Sequence, residues 1–212
     1  MPKRTGLFIA FEGGEGCGKS TQAKLLYNEL QRHDVPALLT HEPGGTPLGD
    51  RIRKILKVKL DFNIGPETEL LLFAACRAQL IKDVILPALD KGTHVMCDRF
   101  SGSTLAYQGY GRGLDLDLIK SINNAATGGL QPDMIFLLDI KPETGLRRKH
   151  NTDSDRFETE DIAFHRRVRE GYLELSRHDP GRWTMLDADR PAETLAKTIF
   201  DLVYPILNKA VP

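Results

Sequence analysis

Residues Gly13 to Ser20 have the composition and spacing of a phosphate-binding loop. The run GGEGCGKS fits the pattern G-x-x-x-x-G-K-[ST] and lies between an apolar run and a helix-like one. Glycines let the backbone wrap around a phosphate chain, and successive amide groups plus a helix N-terminus form an anion site. A glycine-rich turn with a chance lysine is the alternative, but the pattern is complete and in its required context. The predicted nucleotide-binding residues are Gly13, Gly14, Glu15, Gly16, Cys17, Gly18, Lys19, Ser20 and Thr21.

Two residues of this loop have predicted chemical roles. Lys19 would reach the β- and γ-phosphates, and Ser20 would give its hydroxyl to Mg²⁺. The loop alone does not name a reaction, because switches, motors and kinases all use it. A GTPase switch would also need an Asn-Lys-x-Asp sequence late in the chain. The nearest match, Asn208 to Val211, lacks the aspartate, which argues against a switch.

Asp98-Arg99-Phe100 follows a predicted strand, at the end where α/β sheets bind ligands. Asp98 could hold Mg²⁺ through water, and Arg99 could neutralise a transferring or accepting phosphate. An ordinary surface pair at a strand end is the alternative. The phosphate loop favours the functional interpretation.

Phe73 and Arg77 are four residues apart in a predicted helix and therefore share a face. A ring beside a guanidinium can stack on a nucleobase and donate to its carbonyl edge. The alternative is a core Phe73 with Arg77 paired to an acid such as Glu69.

The turn Glu42 to Thr46 (EPGGT) leads into a helix that carries Arg51 and Arg53. It could present an acid and a cation over the ligand edge of the sheet, or it could be an ordinary Pro-Gly turn.

A basic cluster, Arg147 to His150, precedes the polar run His150 to Asp155 (HNTDSD), and Arg156 follows. Such a cluster is often a solvated helix end. Here the segment of about residues 145–158 could instead form a lid that closes over a triphosphate. Its cations would then stabilise the transferring phosphoryl group.

Short apolar runs bounded by turn residues or acids alternate with segments of helical spacing. Each run has the composition of a strand that is buried on both faces in a parallel sheet. Helices are predicted around Gln22 to Gln31, Pro66 to Lys91, and Phe164 to Leu175. This alternation predicts a doubly wound α/β fold with a parallel five-stranded sheet flanked by helices. The predicted strands are Leu7 to Glu12, Ala37 to His41, His94 to Asp98, Met134 to Asp139 and Trp183 to Asp187.

Composition limits the setting in which the chain works. Its 212 residues show no linker, which predicts one domain over 1–212. Lysine plus arginine and aspartate plus glutamate both total 29, so there is no general electrostatic drive toward nucleic acid or a membrane. Three separated cysteines suggest neither disulfides nor zinc, and no apolar run is long enough to span a membrane. We therefore expect a soluble protein of the reducing cytoplasm.

Five motifs in order resemble those of the bacterial thymidylate kinases, which belong to the P-loop nucleoside monophosphate kinases. They are FEGGEGCGKST, HEPGGTPLGDRIRKIL, ELLLFAACRAQ, CDRFSGSTLAYQGYGRG and FHRRVREGYLEL, and the resemblance extends over nearly the whole chain. The resemblance implies transfer of the γ-phosphate of ATP to dTMP, use of Mg²⁺, a nucleoside monophosphate kinase fold with a short lid, and a homodimer.

The resemblance also implies roles for individual residues. Lys19 and Ser20 would hold ATP phosphates and Mg²⁺, Glu15 would face the acceptor's sugar, and Glu42 would lie near the metal and acceptor. The acceptor-site residues would be Arg53 and Arg99 on the 5′-phosphate, Phe73 stacked on thymine, Arg77 donating to its O4, Thr104 and Gln108 lining the base pocket, and Tyr107 against the sugar.

Gly16 stands where one branch of the family carries an arginine, so the resemblance implies the branch whose catalytic cations come from the lid. Arg148 and Arg156 are the candidates, although HNTDSD is short and acidic for such a lid. Two other functions stay open at this point. They are a kinase for another nucleotide or a deoxynucleoside, and a P-loop ATPase module that drives a partner.

Overall fold

The computed structural model describes residues 5–58, 63–149 and 155–207. The strands are β1 Phe8–Glu12, β2 Ala37–His41, β3 His94–Asp98, β4 Met134–Asp139 and β5 Trp183–Asp187. The helices are α1 Lys19–Arg32, α2 Pro47–Lys57, α3 Pro66–Leu80, α4 Leu86–Asp90, α5 Ser101–Thr104, α6 Leu116–Thr127, α7 Pro142–Lys149, α8 Ile162–His178 and α9 Ala192–Leu207. Two π-helical segments, Ile81–Ile85 and Leu105–Gly111, follow α3 and α5.

All five strands are parallel and lie in the order β2-β3-β1-β4-β5. The central strand β1 is fully buried, with Ala10 between Cys97 of β3 and Ile135 of β4. One face packs against α1 and α9 through residues such as Leu26 and Ile199. The other face packs against the end of α3, the Ile81–Ile85 segment and α4. The predicted doubly wound α/β sheet is confirmed, and it brings the carboxyl ends of all the strands to one edge.

The outer strands differ from expectation. The apolar runs predict burial on both faces, but Leu39 in β2 is 37 % exposed and Met185 in β5 is 57 % exposed. Within the described residues, both strands lie at an edge of the sheet and each pairs with one neighbour. The prediction was therefore wrong for β2 and β5, because a short apolar run does not indicate whether a strand is central or at an edge.

The segment predicted as one helix from Pro66 to Lys91 is helical through Asp90 but changes its hydrogen-bonding pattern within Ile81–Ile85. Pro87 has no N–H to give to the carbonyl of Asp83, so regular α-helical bonding cannot continue through this point.

No helix in the described ranges combines the length and apolarity needed to cross a bilayer. Of the predicted lid, His150 to residue 154 lies outside the described residues.

Candidate active site

A cleft of about 720 Å³ opens at the carboxyl ends of the strands. It gathers residues from the phosphate loop, β2, α2, α3, β3, the Leu105–Gly111 segment and the end of α7. Sixteen of the residues predicted from the sequence line it: Glu15, Gly16, Gly18, Lys19, Ser20, Thr21, Glu42, Arg53, Phe73, Arg77, Asp98, Arg99, Thr104, Tyr107, Gln108 and Arg148. Gly13, Gly14, Cys17 and Arg156 are not among its lining residues.

The phosphate loop joins β1 to α1 through left-handed glycines. Gly18, the residue before α1, has φ of 93°, a conformation that a residue with a Cβ adopts only with strain. Lys19 is the first residue of α1, and its Nζ donates to the carbonyl of Gly14 at 2.6 Å and to Cys17 Sγ at 3.3 Å. The Cys17 thiol is 3 % exposed, so its side chain packs behind the loop instead of facing the cleft.

The phosphate loop touches α7 through two glycines. A Cβ built on Gly16 would lie 1.9 Å from the carbonyl oxygen of Gly145, and one on Gly145 would lie 2.1 Å from the carbonyl oxygen of Glu15. Backbone therefore packs directly on backbone, and this brings the basic end of α7 to the rim of the cleft.

Ser20 and Asp98 provide oxygen atoms suited to a magnesium ion. The Ser20 hydroxyl donates to Asp98 Oδ2. Asp98 Oδ1 is buried and has no hydrogen-bond partner among the described residues. A hydroxyl beside a carboxylate with an unused oxygen matches the hard ligands that Mg²⁺ prefers, usually together with phosphates and water. The residues present fit the ion.

Arg99 connects the end of β3 to the phosphate loop. Its Nη2 donates to Glu15 Oε1 at 2.6 Å and its Nη1 to the carbonyl of Gly13 at 3.0 Å. The backbone of Arg99 has φ of 72°, a strained conformation for a residue with a side chain. That turn directs the guanidinium across the sheet edge toward the loop.

Glu15 is the acidic centre of this cluster. It also accepts from the Tyr107 hydroxyl at 2.7 Å and from Lys149 Nζ at 2.9 Å. Burial acts to raise the pKa of Glu15, but the charges of Arg99, Lys19 and Lys149 together hold that pKa well below its ordinary value. Glu15 is therefore ionised throughout the neutral range and keeps several cations close together.

Arg77 is 1 % exposed and is held by three side chains. Its Nε and Nη2 both donate to Glu42, with Nη2 2.6 Å from Oε2. Nη2 also donates to Thr104 Oγ1 at 2.9 Å, and Nη1 donates to Asn123 Oδ1 at 2.6 Å. These contacts leave one N–H on Nη1 for a ligand. The alternative in which Arg77 pairs with an acid is borne out, but the acid is Glu42 and not the suggested Glu69.

Glu42 and Arg53 flank the Pro43 turn. Burial raises the pKa of Glu42 to about 7, against the opposing effect of the adjacent Arg77 charge. Arg53 Nη1 donates to the carbonyl of Pro43 at 2.7 Å, which steadies that arginine beside the cleft.

Aromatic rings form one wall of the cleft. Phe73 and Tyr107 both pack on Phe157, with ring centroids 5.9 Å and 6.0 Å apart respectively. All three rings line the cleft, next to Thr104 and Gln108. This combination of flat apolar surface and polar side chains can receive a planar heterocycle with hydrogen-bonding edges.

The two candidate lid arginines lie in different places. Arg148 lines the cleft and donates to the carbonyl of Ala188 at 2.9 Å and to Asp189 at 3.1 Å. Arg156 instead donates to Glu69 Oε2 at 2.5 Å and to the carbonyl of Leu56 at 3.2 Å. Arg156 thus pairs with a buried acid outside the cleft lining, because the C-terminal end of the predicted lid segment is anchored to the end of α2.

Several contributors to the site were not singled out from the sequence. Lys149, which was predicted only as a member of the basic cluster Arg147 to His150, lines the cleft and donates to Glu15 and Glu158. Glu12, at the end of β1, accepts from the backbone of Phe100 and from the Tyr172 hydroxyl. The position of Glu12 at the end of a predicted strand could have identified it as a site residue. Asn123 lies in a helix, where nothing in its sequence context distinguishes it from a surface polar residue.

Comparisons with known proteins agree with this geometry. A family profile described as thymidylate kinase matches residues 11–199. Curated thymidylate kinases from Dehalococcoides mccartyi and Roseiflexus castenholzii are 51 % and 47 % identical to the chain, and each match covers 95 % of this chain. The matches cover 97 % and 94 % of those relatives. The crystal structure of thymidylate kinase from Ehrlichia chaffeensis superposes with a TM-score of 0.79 at 31 % identity, covering 93 % of this chain and 98 % of that one. The resemblance deduced from the motifs is confirmed, and the chain belongs to the thymidylate kinase family.

Proposed function

We propose that the chain transfers the γ-phosphoryl group of ATP to the 5′-phosphate of dTMP, giving dTDP and ADP. The contact between Arg99 and Glu15 is the observation that carries the proposal, because it joins an acceptor-side cation to the donor's phosphate loop at 2.6 Å. Two anions must be apposed in such a reaction. A cleft that surrounds one acid with several cations is suited to that task.

The donor would occupy the phosphate loop, with its phosphates on the backbone amides of Gly13 to Thr21 and on Lys19. Ser20 and Asp98 would hold Mg²⁺. When bound, that ion would neutralise charge on the donor's phosphate oxygens.

The acceptor phosphate would bind between Arg53 and Arg99, two arginines that line the same cleft. The base would lie against Phe73, with Arg77 donating to O4 and with Thr104 and Gln108 along its polar edge. Tyr107 would meet the sugar, since its hydroxyl is held by Glu15. Glu42 would act through Arg77, to which it is paired.

Transfer then needs little from the protein beyond position and charge. A 5′-phosphate oxygen of dTMP forms a bond to the γ-phosphorus as the bond from that phosphorus to the bridging oxygen of ATP breaks, and ADP leaves with the electron pair. Arg99 and Lys19 lie beside the reacting groups. Arg148 and Lys149 at the end of α7 supply cations from the lid side, and a short lid over about 145–158 would exclude water.

Coupled assays of ADP formation with ATP, Mg²⁺ and each nucleoside monophosphate test the proposal. We expect dTMP to give the highest kcat/KM. Higher turnover of AMP, CMP, GMP or dUMP would identify a different acceptor. The alternative of a kinase for another nucleotide or a deoxynucleoside would then be favoured. ADP release that is independent of any acceptor would instead favour an ATPase module. A Lys19→Ala variant controls for contaminating kinases.

The proposed assembly is a homodimer formed through α2, α3 and α6. These helices pack side by side and expose Leu48, Ile55, Leu71 and Leu118, each of which is between 45 % and 56 % exposed. An apolar face of this kind is typical of an interface between subunits. Light scattering of the purified chain tests it, with Leu71→Glu expected to give monomers.

We also propose a single domain that works in the cytoplasm on small molecules. The three cysteines are buried free thiols, which suits a reducing compartment. The formal net charge of zero gives no support to a nucleic-acid partner.

A further inference from the structure

Glu69 is a buried acid that contacts no proposed substrate position directly. It lies in the first turn of α3 and is 1 % exposed. Its Oε2 accepts from Arg156 at 2.5 Å, and Arg112 approaches both oxygens at 3.3 and 3.4 Å. Two guanidinium groups therefore donate hydrogen bonds to this carboxylate. In its ionised form it can only accept hydrogen bonds.

The fourth contact of Glu69 is with Gln108. Gln108 Nε2 donates to Glu69 Oε1 at 2.7 Å, and both residues are 1 % exposed. A side-chain amide has a donor end and an acceptor end of nearly equal shape, so its orientation is set by its partners. Because the carboxylate only accepts, the NH₂ end must face Glu69.

This orientation determines what Gln108 can offer a ligand. Gln108 lines the cleft. Within the described ranges its Oε1 receives no hydrogen bond from the protein. The group that Gln108 can present to a ligand is therefore a hydrogen-bond acceptor.

A hydrogen-bond donor is held close to it. Thr104, one helical turn before Gln108, accepts from Arg77 Nη2 at 2.9 Å. The N–H that remains on Arg77 Nη1 is the donor. The same cleft therefore carries a donor on Arg77 and an acceptor on Gln108, and Thr104 lies between them in the network.

Such a pair matches one kind of pyrimidine edge. Thymine and uracil carry an acceptor at O4 next to a donor at N3–H. Cytosine carries a donor at its 4-amino group next to an acceptor at N3, which is the reverse pattern. A thymine-type base satisfies both protein groups, whereas cytosine would oppose donor to donor and acceptor to acceptor.

We propose that Glu69 is a positioning residue that fixes the amide orientation of Gln108 and thereby makes the base site reject cytosine. The proposal rests on the proposed function, which places the base between Phe73, Arg77 and Gln108. Without the carboxylate, the amide of Gln108 can turn to present its NH₂ end to N3 of cytosine. Specificity at this position then follows from a side chain that never touches the base.

The test compares selectivity ratios in the full-length enzyme. Glu69→Gln keeps the size of the side chain but can accept or donate, so Gln108 is no longer held in one orientation. We expect the ratio of kcat/KM for dTMP over dCMP to fall by about 10- to 100-fold, because mismatched buried hydrogen bonds are what enforce it. The ratio of dTMP over dUMP should stay unchanged, since these bases share the same edge, and the KM for ATP should stay within about twofold.

Two further variants separate orientation from lost ion pairing. Arg112→Gln removes a guanidinium partner of Glu69 but leaves the contact with Gln108, and it should keep the dTMP over dCMP ratio. Glu69→Asp retains the charge but is too short to hold Gln108, and it should lower the ratio as Glu69→Gln does. It also provides the test if Glu69→Gln fails to fold.

Measuring Glu69→Gln in a Gln108→Leu background completes a double-mutant cycle between these two residues. If Glu69 acts through Gln108, then Glu69→Gln will not lower the dTMP over dCMP ratio any further in that background. An equal loss in both backgrounds, or an Arg112→Gln loss equal to that of Glu69→Gln, would overturn the proposal. The unmodified enzyme is measured first, so failure to phosphorylate dTMP would refute the proposed function separately.

Discussion

The guanidinium of Arg99 donates to the carboxylate of Glu15 at 2.6 Å, and this contact connects the end of β3 to the phosphate loop. Arg99 also lies over the Tyr107 ring at 5.1 Å, and Tyr107 donates to the same carboxylate. An acid of the phosphate loop is thus surrounded by Arg99 and Tyr107, which in the proposed function belong to the acceptor site. Changes at this contact should affect transfer and acceptor binding more than the binding of ATP.

Arg99→Lys tests that relationship. Lysine keeps the charge but cannot bond to Glu15, Gly13 and Ser103 at once, so the cation will be misplaced relative to the acceptor phosphate. We expect kcat with dTMP to fall by about 100-fold or more, with the KM for ATP changed little. Arg182→Lys is the control. Arg182 is far from Arg99 in the chain, and its ion pair is with the nearby Asp179. A loss confined to the KM for ATP would place Arg99 in the donor site instead.

Arg77→Ala should affect both the base site and stability. The KM for dTMP should rise far more than the KM for ATP, because the change removes a base contact and no phosphate-loop contact. The free energy of unfolding should fall by about 3–5 kcal/mol, since Glu42 would be left buried without its partner.

The double variant Arg77→Ala/Glu42→Gln separates these effects. It replaces the buried carboxyl that has lost its ion-pair partner, so chemical denaturation should show much of the stability restored while the KM for dTMP stays high. If the KM recovered together with the stability, Arg77 would have a purely structural role.

Lys149 should be needed for turnover. It lines the cleft and donates to Glu15 at 2.9 Å, so Lys149→Ala should lower kcat by about 10- to 100-fold with a smaller effect on either KM. Arg147→Ala is the matched control, because Arg147 is exposed on the same helix and, within the described residues, hydrogen-bonds only to Thr144. Equal effects of the two variants would mean that general charge at the end of α7 is what matters.

The acid side of the stability profile should depend on His94. Its Nδ1 accepts from the Leu7 amide at 2.9 Å, which requires the neutral ring, and burial lowers the pKa of His94. Because this pKa is lower in the folded state, the unfolded chain binds more protons below the ordinary pKa of about 6.5, and stability falls as pH falls through that region.

His94→Asn can accept the same hydrogen bond without titrating. Urea denaturation between about pH 5 and pH 8 should therefore show a shallower dependence for this variant. His178→Asn is the control, because the side chain of His178 is 73 % exposed. An unchanged slope in His94→Asn would contradict the prediction.

Much of the fold was predictable because short apolar runs and turn residues mark strand ends. β2, β3, β4 and β5 begin and end at the predicted residues, and β1 differs by one residue. The phosphate loop was predictable because its chemistry depends on contiguous residues. The exposure of β2 and β5 was not, since position in a sheet depends on the order of distant strands.

The candidate site was predictable to the level of which residues line the cleft. Contacts between side chains from different elements were not. Arg77 could have paired with Glu69 or Glu42, and it is the folded structure that places Glu42 Oε2 2.6 Å from Arg77 Nη2. Likewise, Arg148, Lys149 and Arg156 are similar basic residues in the sequence, and their separate positions follow from where the lid's two ends are anchored.

The close approach of Gly16 to Gly145 limits how this enzyme could be redesigned. A side chain at either position would need the phosphate loop and α7 to move apart, since the space is filled by main-chain atoms. An engineer who wished to introduce a loop arginine would therefore have to rebuild the start of the lid at the same time. The two regions lie far apart in the chain, but a larger residue in one requires a compensating change in the other.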